Sequence, residues 1–424
     1  MSTLGHPPRL CDSFYQWQGF RSRGAPVVNP VSKASAHPPV EAQRRFAYFK
    51  QRTGEIISTI RELVEIESPS DNKPAVDHIA EAVAKKFAQL GAETRIHRAY
   101  NFGNHLQVDF PGKSAARPLL LLGHYDTVYP LGTLATMPCQ IVGDKLTGPG
   151  VLDMKSGIAL MLHALAALQA WHIEEWHGVL PRPVTVLLVS DEEVGSDSSR
   201  AITESLAKKA SAVLVLEPSY GSHGAVKTAR KGVGDYRVNV TGKASHAGLD
   251  FQKGVNAILE LARQIEKISA FTDLKKGLTV NVGIVTGGSR TNVVPAEAIA
   301  QIDVRIARLK DAAGINKKLR SLRPYNRKCK IEITGGINRP PMERTAGVAA
   351  LYAQAKSIAH DLGWKLSEAA VGGGSDGNFT AALGIPTLDG LGAVGDGAHA
   401  PHEHVLISEL PRRAALIAGL IELI

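Results

Sequence analysis

Residues 183–194 read PVTVLLVSDEEV, and this stretch decides how the rest of the chain is interpreted. Its first half is an apolar, β-branched run without polar alternation, which is typical of a strand buried on both faces of a parallel sheet. Glu192 and Glu193 follow the run, and ligand sites in open α/β sheets lie beyond the carboxyl ends of the strands. One glutamate there can bind a cation while the other accepts a proton from water. The alternative interpretation is a solvated acidic loop.

Length and composition indicate a globular protein with more than one domain. A chain of 424 residues is too long for one compact core and is expected to form two or three domains. No apolar run approaches the roughly 20 residues of a membrane span, so no membrane partner is expected. The formal net charge is +9, but the basic residues are dispersed among acids, which argues against nucleic-acid binding. The three cysteines are far apart and indicate neither a disulfide framework nor a thiolate metal site.

The N-terminal residues 1–42 differ from the rest of the chain. They contain six prolines, little periodicity and no apolar core of the kind that a secretory signal requires. We expect a disordered or loosely packed extension. A cytoplasmic location is the corresponding expectation, with periplasmic export left open.

Two further apolar runs end at residues that can bind a metal. The run PLLLLG is followed by His124, and the run AVLVL is followed by Glu217. Asp126 lies two residues beyond His124, where its carboxylate can accept the second imidazole N–H, as a carboxylate does beside many metal-bound histidines. Chance places one such residue at a strand end more readily than three. We therefore expect His124, Glu193 and Glu217 to belong to one site.

Asp153 lies in a glycine-rich segment, GPGVLDMKSG, that leads into an apolar helix. An aspartate at a helix start can be a simple cap, or it can bridge two cations. With a further histidine, Asp153 completes a set of nitrogen and oxygen ligands without sulfur. Such a set suits zinc, cobalt or manganese and does not discriminate among them.

Eight motifs together resemble the dinuclear zinc metallopeptidases, a family that includes glutamate carboxypeptidase, acetylornithine deacetylase and succinyl-diaminopimelate desuccinylase. They occur in the family's order from about residue 45 onward. The bacterial glutamate carboxypeptidases are the most similar members, chiefly through GKASHAG, DVR and GGGSD. The motifs are HYDTV (124–128), GPGVLDMKSG (148–157), SDEEVGS (190–196), LEPS (216–219), GKASHAG (242–248), NVVPAEA (292–298), DVR (303–305) and GGGSDG (372–377).

The resemblance implies an α/β fold with two parts. A zinc-peptidase catalytic domain, with a mixed, largely parallel sheet flanked by helices, would comprise residues 43–227 and 343–424. An inserted α+β sandwich at 228–342 would serve as a lid and as the dimerisation surface. The expected assembly is therefore a homodimer through this inserted domain.

The resemblance also implies a ligand set for two Zn²⁺ ions, with Co²⁺ or Mn²⁺ as possible substitutes. Three histidines, at 399, 402 and 404, compete for the last ligand position, and the family spacing of a histidine four residues before a glutamate selects His399 with Glu403. Relatives carry a cis peptide bond after the bridging aspartate, here Asp153–Met154. The implied ligands are His124 and Glu217 on one metal, Glu193 and His399 on the other, and Asp153 bridging both.

Three further residues have implied catalytic roles. Glu192 would be the general base, and Asp126 would orient His124. His246 of GKASHAG would donate to the tetrahedral oxyanion of the other subunit's active site. The alternative for His246 is a turn residue at the mouth of a helix.

For the substrate, the resemblance implies a small peptide or an N-acyl amino acid. Arg305 matches the family's carboxylate-binding arginine, with Asn292 beside it, although it could instead be a surface strand residue. Arg339 and Gly374 are further substrate-proximal candidates. The expected activity is that of a metal-dependent carboxypeptidase releasing a C-terminal, glutamate-like residue. An N-acyl-amino-acid deacylase uses nearly the same residues, and a remote alternative is an inactive binding protein with this fold.

Overall fold

The computed structural model describes residues 39–172 and 177–424. The predicted extension at residues 1–42 therefore lies mostly outside the described residues. Its last four residues correct the prediction, because the first helix already begins at Pro39. Proline is favoured in the first turn of a helix, where its missing N–H costs no hydrogen bond.

The described residues form helices and strands that we number in chain order. The longer helices are α1 (Pro39–Gln51), α2 (Thr53–Val64), α3 (Lys73–Gln89), α4 (Ser156–Trp171), α5 (Arg200–Lys209), α6 (Ala257–Ser269), α7 (Ala312–Arg320), α8 (Ala346–Asp361), α9 (Gly377–Ala382) and α10 (Leu410–Leu423). The strands are β1 (Glu93–His97), β2 (His105–Phe110), β3 (Leu119–His124), β4 (Gln140–Val142), β5 (Lys145–Thr147), β6 (Val184–Val189), β7 (Ala212–Val215), β8 (Val226–Arg230), β9 (Gly232–Thr241), β10 (Thr279–Gly287), β11 (Glu297–Ile306), β12 (Lys330–Arg339), β13 (Glu368–Val371), β14 (Thr387–Leu388), β15 (Gly395–Asp396) and β16 (His404–Leu406).

A six-stranded mixed sheet forms the centre of the catalytic part, in the order β1-β2-β6-β3-β7-β14. The strands β6, β3, β7 and β14 are parallel to one another, and β1 and β2 extend the sheet antiparallel. Every residue of β3 and β6 is buried, as expected of strands covered on both faces. The prediction of an α/β fold with a mixed, largely parallel sheet is confirmed.

The parallel strands bring three predicted ligand segments to one edge of this sheet. His124, the last residue of β3, pairs with Val189 at the end of β6. On the other side of β3, Leu122 pairs with Val215 at the end of β7. The residues that follow β6 and β7 therefore begin next to His124, and this register assembles the site.

The segment Val151–Trp171, which ends with α4, corrects the expectation that no apolar run approaches the length of a membrane span. It is long and apolar enough by length and composition, but 83% of its most apolar window is buried inside the fold. Helix α4 packs against α2, α10 and β3 as part of the hydrophobic core. Its apolar character is therefore that of a core helix.

A second, antiparallel sheet has the order β10-β11-β9-β12. The residues of β9 alternate between buried and less buried, because one face packs on α6 and α7 around a separate hydrophobic cluster. This is the α+β layer expected between residues 228 and 342. The predicted limit after residue 227 falls inside β8, which pairs with β13, and the first strand of the second sheet begins at Gly232. The other domain limits stay predictions.

Candidate two-metal active site

His124 lies at the centre of a carboxylate cluster. Its Nδ1–H donates to the main-chain oxygen of Asp126 at 3.0 Å, which leaves the Nε2 lone pair facing Asp153 Oδ1 at 3.2 Å and Glu217 Oε1 at 3.4 Å. Burial disfavours the charged ring, but the neighbouring carboxylates outweigh it and raise the pKa of His124 well above its usual value. The surroundings of Nε2 therefore favour a cation.

Asp153 faces two histidines, one with each carboxylate oxygen. Its Oδ1 lies near His124, and its Oδ2 lies 3.5 Å from Nε2 of His399. His399 Nε2 is also 3.1 Å from Glu193. Two groups of donors, one around His124 with Glu217 and one around His399 with Glu193, thus share Asp153. This is the geometry of a bridging carboxylate.

Glu403 holds the segment that presents Asp153. Its buried carboxylate accepts the backbone N–H groups of Gly150 at 3.0 Å, Leu152 at 2.7 Å and Asp153 at 2.9 Å. The peptide bond between Asp153 and Met154 is cis, as the resemblance implies. Spacing marked Glu403 only as the partner of His399, and its role in fixing the Asp153 segment was not predicted.

Among the three candidate histidines, the geometry brings His399 to the site. Within the described part of the chain, neither His402 nor His404 has a hydrogen bond or ion pair with Asp153 or Glu193. His404 lies in β16 and its ring contacts the main-chain oxygen of His402. The choice of His399 agrees with the family spacing.

The carboxylate of Asp126 does more than orient His124. It lies 3.5 Å from His124 Nδ1, farther than the main-chain oxygen of the same residue. It accepts the backbone N–H groups of Glu192 at 3.3 Å and Glu193 at 3.2 Å, and the hydroxyl of Ser70 at 2.7 Å. The orienting contact thus comes mainly from the backbone, and the carboxylate fixes the turn that carries both glutamates.

Glu192 is placed as a base beside a cation. Its Oε1 lies 3.1 Å from Nη2 of Arg339, which also donates to the hydroxyl of Ser196 at 2.8 Å. Burial raises the pKa of Glu192 well above its usual value, and Glu217 adds to the increase while Arg339 opposes it. A carboxylate with a raised pKa is a stronger proton acceptor when ionised. This environment suits the predicted general base.

Glu217 is anchored by an arginine that sequence analysis missed. Its Oε1 faces His124, and its Oε2 lies 3.3 Å from Nη2 of Arg230. Arg230 is buried and pairs with Asp389 through Nε at 2.7 Å and Nη2 at 2.8 Å. Asp389 is 159 residues away in the chain, so no local pattern could have linked the two. The available signal was a charged residue at the end of the strand that follows LEPS, eleven residues beyond Ser219.

Arg339 and Gly374 both lie beside the carboxylate cluster, and their predicted proximity to the substrate stays a prediction. The main-chain oxygen of Gly374 accepts from Nη1 of Arg230 at 3.0 Å. A Cβ atom at position 374 would lie 3.1 Å from Cδ of Arg339, so glycine leaves room for that side chain. Arg339 Nη1 also pairs with Asp376 Oδ1 at 2.5 Å.

Arg305 and Asn292 are not neighbours, which corrects the prediction that they lie side by side. Arg305 in β11 and Arg339 in β12 both pair with Val233, from opposite sides of β9. The backbones of the two arginines are therefore separated by two strand spacings, about 10 Å. The guanidinium of Arg305 is held by Asp303 at 2.7 Å. Asn292 lies before Glu297, the first residue of β11. The strand from Glu297 to Arg305 is roughly 27 Å long at 3.4 Å per residue, so Asn292 is at least that far from Arg305.

His246 lies at that same far end of the second sheet. It bridges Val293, and the next residue donates its N–H to the main-chain oxygen of Asn292 at 2.9 Å. Its Nδ1 accepts the backbone N–H groups of Gly248 and Leu249, each at 3.1 Å. The neutral ring therefore carries its proton on Nε2. His246 and Asn292 are exposed and, within one chain, remote from Glu192.

The donor set fits two divalent cations by charge as well as by chemistry. Two groups of possible metal-binding atoms share His124, and within each group the atoms lie within 4.8 Å of one another. One group consists of His124, Glu192 and Glu217, and the other of His124, Asp153 and Glu193. The nearby arginines have carboxylate partners of their own, since Arg230 pairs with Asp389 and Arg339 with Asp376. Four clustered carboxylates need about four positive charges, which two divalent ions supply. The ligands carry nitrogen and oxygen donors and no sulfur.

An α/β sheet with a shared-carboxylate cluster at its carboxyl edge defines a two-metal hydrolase. The model of the Peptidase family M20/M25/M40 matches residues 120–423, and the chain belongs to this family. It is 33% identical over 376 residues to Carboxypeptidase G2 of Pseudomonas sp. (strain RS-16), covering 86% of this chain and 88% of that protein. The chain is therefore a metallopeptidase of the M20 type.

Two solved structures share the fold. Aminopeptidase PepT from Bacillus cereus superimposes with a TM-score of 0.71 at 23% identity, covering 87% of this chain and 98% of that one. The YXEP protein of Bacillus subtilis, a dinuclear metal-binding peptidase of the M20 family, gives a TM-score of 0.64 at 14% identity, covering 88% and 98%. These similarities extend over both sheets and confirm the fold class.

Proposed function

We propose that this metallopeptidase is a carboxypeptidase that releases a C-terminal, glutamate-like residue from peptidyl or N-acyl substrates, with two Zn²⁺ ions as its natural cofactors. The observation that carries the proposal is Asp153 shared between the His124 and His399 groups, with Glu192 beside them. The similarity to Carboxypeptidase G2 over most of both chains supports the carboxypeptidase assignment.

In the proposed mechanism, His124 and Glu217 would hold one ion, His399 and Glu193 would hold the other, and Asp153 would be shared between the two sites. When bound, the two ions supply polarisation of the scissile carbonyl and a water of lowered pKa. Glu192 accepts the proton of that water at its carboxylate and returns it to the leaving nitrogen. The turn held by Asp126 keeps the base and the ligand Glu193 at fixed positions.

A carboxypeptidase must also bind the free α-carboxylate of its substrate. We assign this role to Arg339, because its guanidinium contacts Glu192 and an arginine fork matches a carboxylate. The substrate carboxylate would replace Glu192 at Nη2 when Glu192 turns toward the water. Arg305, which is level with Arg339 across the second sheet and forms an ion pair with Asp303, is the second candidate.

A homodimer would complete the site with His246. The length of β9 from Val233, which pairs with Arg339, to Thr241 is about 27 Å, and His246 lies beyond it. An oxyanion donor at this position therefore has to serve the site of another subunit. Its Nε2–H, which has no acceptor among the described residues, is the donor that the role requires. Asn292 would accompany it, since the two loops are hydrogen-bonded.

The surface around His246 has the character of an interface. Strand β10 is an edge of its sheet, and exposed edges invite pairing with another chain. A group of large apolar side chains near it is exposed: Leu249, Phe251, Ile258, Leu259, Ile284 and Val285. Apolar exposure of this kind is typical of a surface that another protein covers.

A hydrolysis screen tests the proposed function. The protein is loaded with Zn²⁺ or Co²⁺ and offered N-acyl and peptidyl amino acids that end in glutamate, ornithine or a neutral residue. Preferred release of glutamate supports the proposal. Preference for acetylornithine or for short N-acyl groups regardless of the amino acid favours the deacylase alternative, and no hydrolysis of any substrate contradicts both.

A further inference from the structure

Lys227 in β8 is a largely buried cation that has no ionic partner among the described residues. It is 8% exposed, and no residue in the ranges 39–172 and 177–424 forms a hydrogen bond or an ion pair with its ammonium group. Burial lowers the pKa of Lys227. The ammonium nitrogen is not one of the fully enclosed polar atoms that lack a partner, so solvent or a bound anion can contact it. Within the described chain, Lys227 is therefore an accessible cation that has no counter-ion.

The backbone around Lys227 connects it to the metal-binding cluster. Its N–H donates to the main-chain oxygen of Asp389 at 2.7 Å, and the N–H of Asp389 donates back at 3.2 Å. The side-chain stem crosses Gly390, where a Cβ atom would lie 3.0 Å from Cγ of Lys227. In the same loop, Gly392 donates its N–H to the main-chain oxygen of Glu217 at 2.8 Å.

The charges of the active site act on Lys227. Arg230 repels it, whereas the carboxylates of Asp389, Glu217 and Asp153 attract it. Each of these three carboxylates already has a closer partner in Arg230, His124 or His399. An additional anion near the metals would therefore find Lys227 available as its partner.

We propose that Lys227 binds the side-chain carboxylate of the residue that the enzyme releases, and so selects acidic C-terminal residues. The inference rests on the proposed carboxypeptidase function and adds the residue that reads the side chain. An ammonium group is a point charge suited to a single carboxylate, whereas the planar fork of Arg339 suits the α-carboxylate. Arg339 thus binds the α-carboxylate of a glutamate-like residue, and Lys227 binds its side-chain carboxylate.

The test compares two substrates with the same acyl group, one ending in glutamate and the other in the uncharged isostere glutamine. Lys227→Met keeps most of the stem and removes the charge. We expect the ratio of kcat/KM for glutamate over glutamine to fall roughly 10- to 100-fold, the range of one charge-assisted hydrogen bond. The glutamine substrate should lose much less activity than the glutamate substrate, and the metal content should be unchanged.

Equilibrium binding gives a second measurement that needs no turnover. Calorimetry with free glutamate and free glutamine on the metal-loaded protein should show the same loss of preference in Lys227→Met. If that variant does not fold, Lys227→Gln takes its place. Lack of hydrolysis by the wild type would contradict the proposed function, and calorimetry would still decide the role of Lys227.

Lys231→Met is the matched control, because it removes the same charge four residues away in the same segment. It should leave the glutamate-to-glutamine ratio unchanged. Two results would overturn the inference: an unchanged ratio in Lys227→Met, or the same change of ratio in Lys231→Met. An unchanged ratio with an equal loss for both substrates would assign Lys227 to the α-carboxylate or to structure, and a change of ratio in Lys231→Met would assign the effect to the general field of the site.

Discussion

Replacement of Glu192 by glutamine separates the base from the metal ligands. The amide has the shape of the carboxylate and can still accept from Nη2 of Arg339, which lies 3.1 Å from Oε1. It cannot accept a proton from water. General base catalysis contributes about 10²- to 10⁴-fold, so Glu192→Gln should raise the barrier by roughly 2.7 to 5.4 kcal/mol at 1.36 kcal/mol per factor of ten.

The assay combines kcat/KM on the best substrate of the screen with metal content by mass spectrometry. Glu192→Gln should retain both metals, since its carboxylate is not a ligand in the proposed set. Glu193→Gln is the matched control and should lose metal, because Glu193 lies 3.1 Å from the His399 ring nitrogen. An empty site in Glu192→Gln, or activity within a few-fold of the wild type, would refute the division of roles between the two glutamates.

Three further predictions concern residues around this centre. His246→Ala should cost about 2.7 to 4 kcal/mol in transition-state stabilisation without loss of metal. Mixing this variant with Glu192→Gln should restore part of the activity, because one site of the mixed dimer has an intact base and receives an intact His246 from the other chain. If the subunits exchange and no activity returns, the oxyanion donor lies within the same chain as the site. Glu403→Gln should weaken metal binding about 10- to 100-fold in a chelator competition, because an amide cannot accept all three N–H groups; unchanged affinity would contradict its positioning role. Arg339→Met should lower the free energy of unfolding by about 3 to 5 kcal/mol, since Asp376 loses its buried partner. Arg305→Met removes a partly exposed ion pair and should change the free energy of unfolding by at most about 1 kcal/mol. Equal effects of the two variants in denaturant titrations would contradict the argument that burial makes the Arg339 pair more important for stability.

The sequence predicts the central sheet and most of the ligand set because both follow from one local signal. An uninterrupted apolar run marks a buried parallel strand, and such strands end at the same edge of a sheet. His124 and Glu217 were found from this signal. Asp153 and His399 needed the family motifs, since neither follows a strand of the central sheet.

The supporting residues were harder to predict because their partners are distant in the chain. Arg230 and Asp389 meet only when β8 passes the loop after β14. Glu403 reaches the Asp153 segment across about 250 residues. The placement of Asn292 beside Arg305 was wrong because most of strand β11 lies between the two residues, and the length of this strand was not taken into account.

Anomalous diffraction from crystals of the zinc-loaded protein tests the central claim most directly. The shared position of Asp153 predicts two peaks about 3.5 Å apart, one between His124 and Glu217 and the other between His399 and Glu193, with Asp153 touching both. A single peak, or two peaks without Asp153 between them, would contradict the two-metal site.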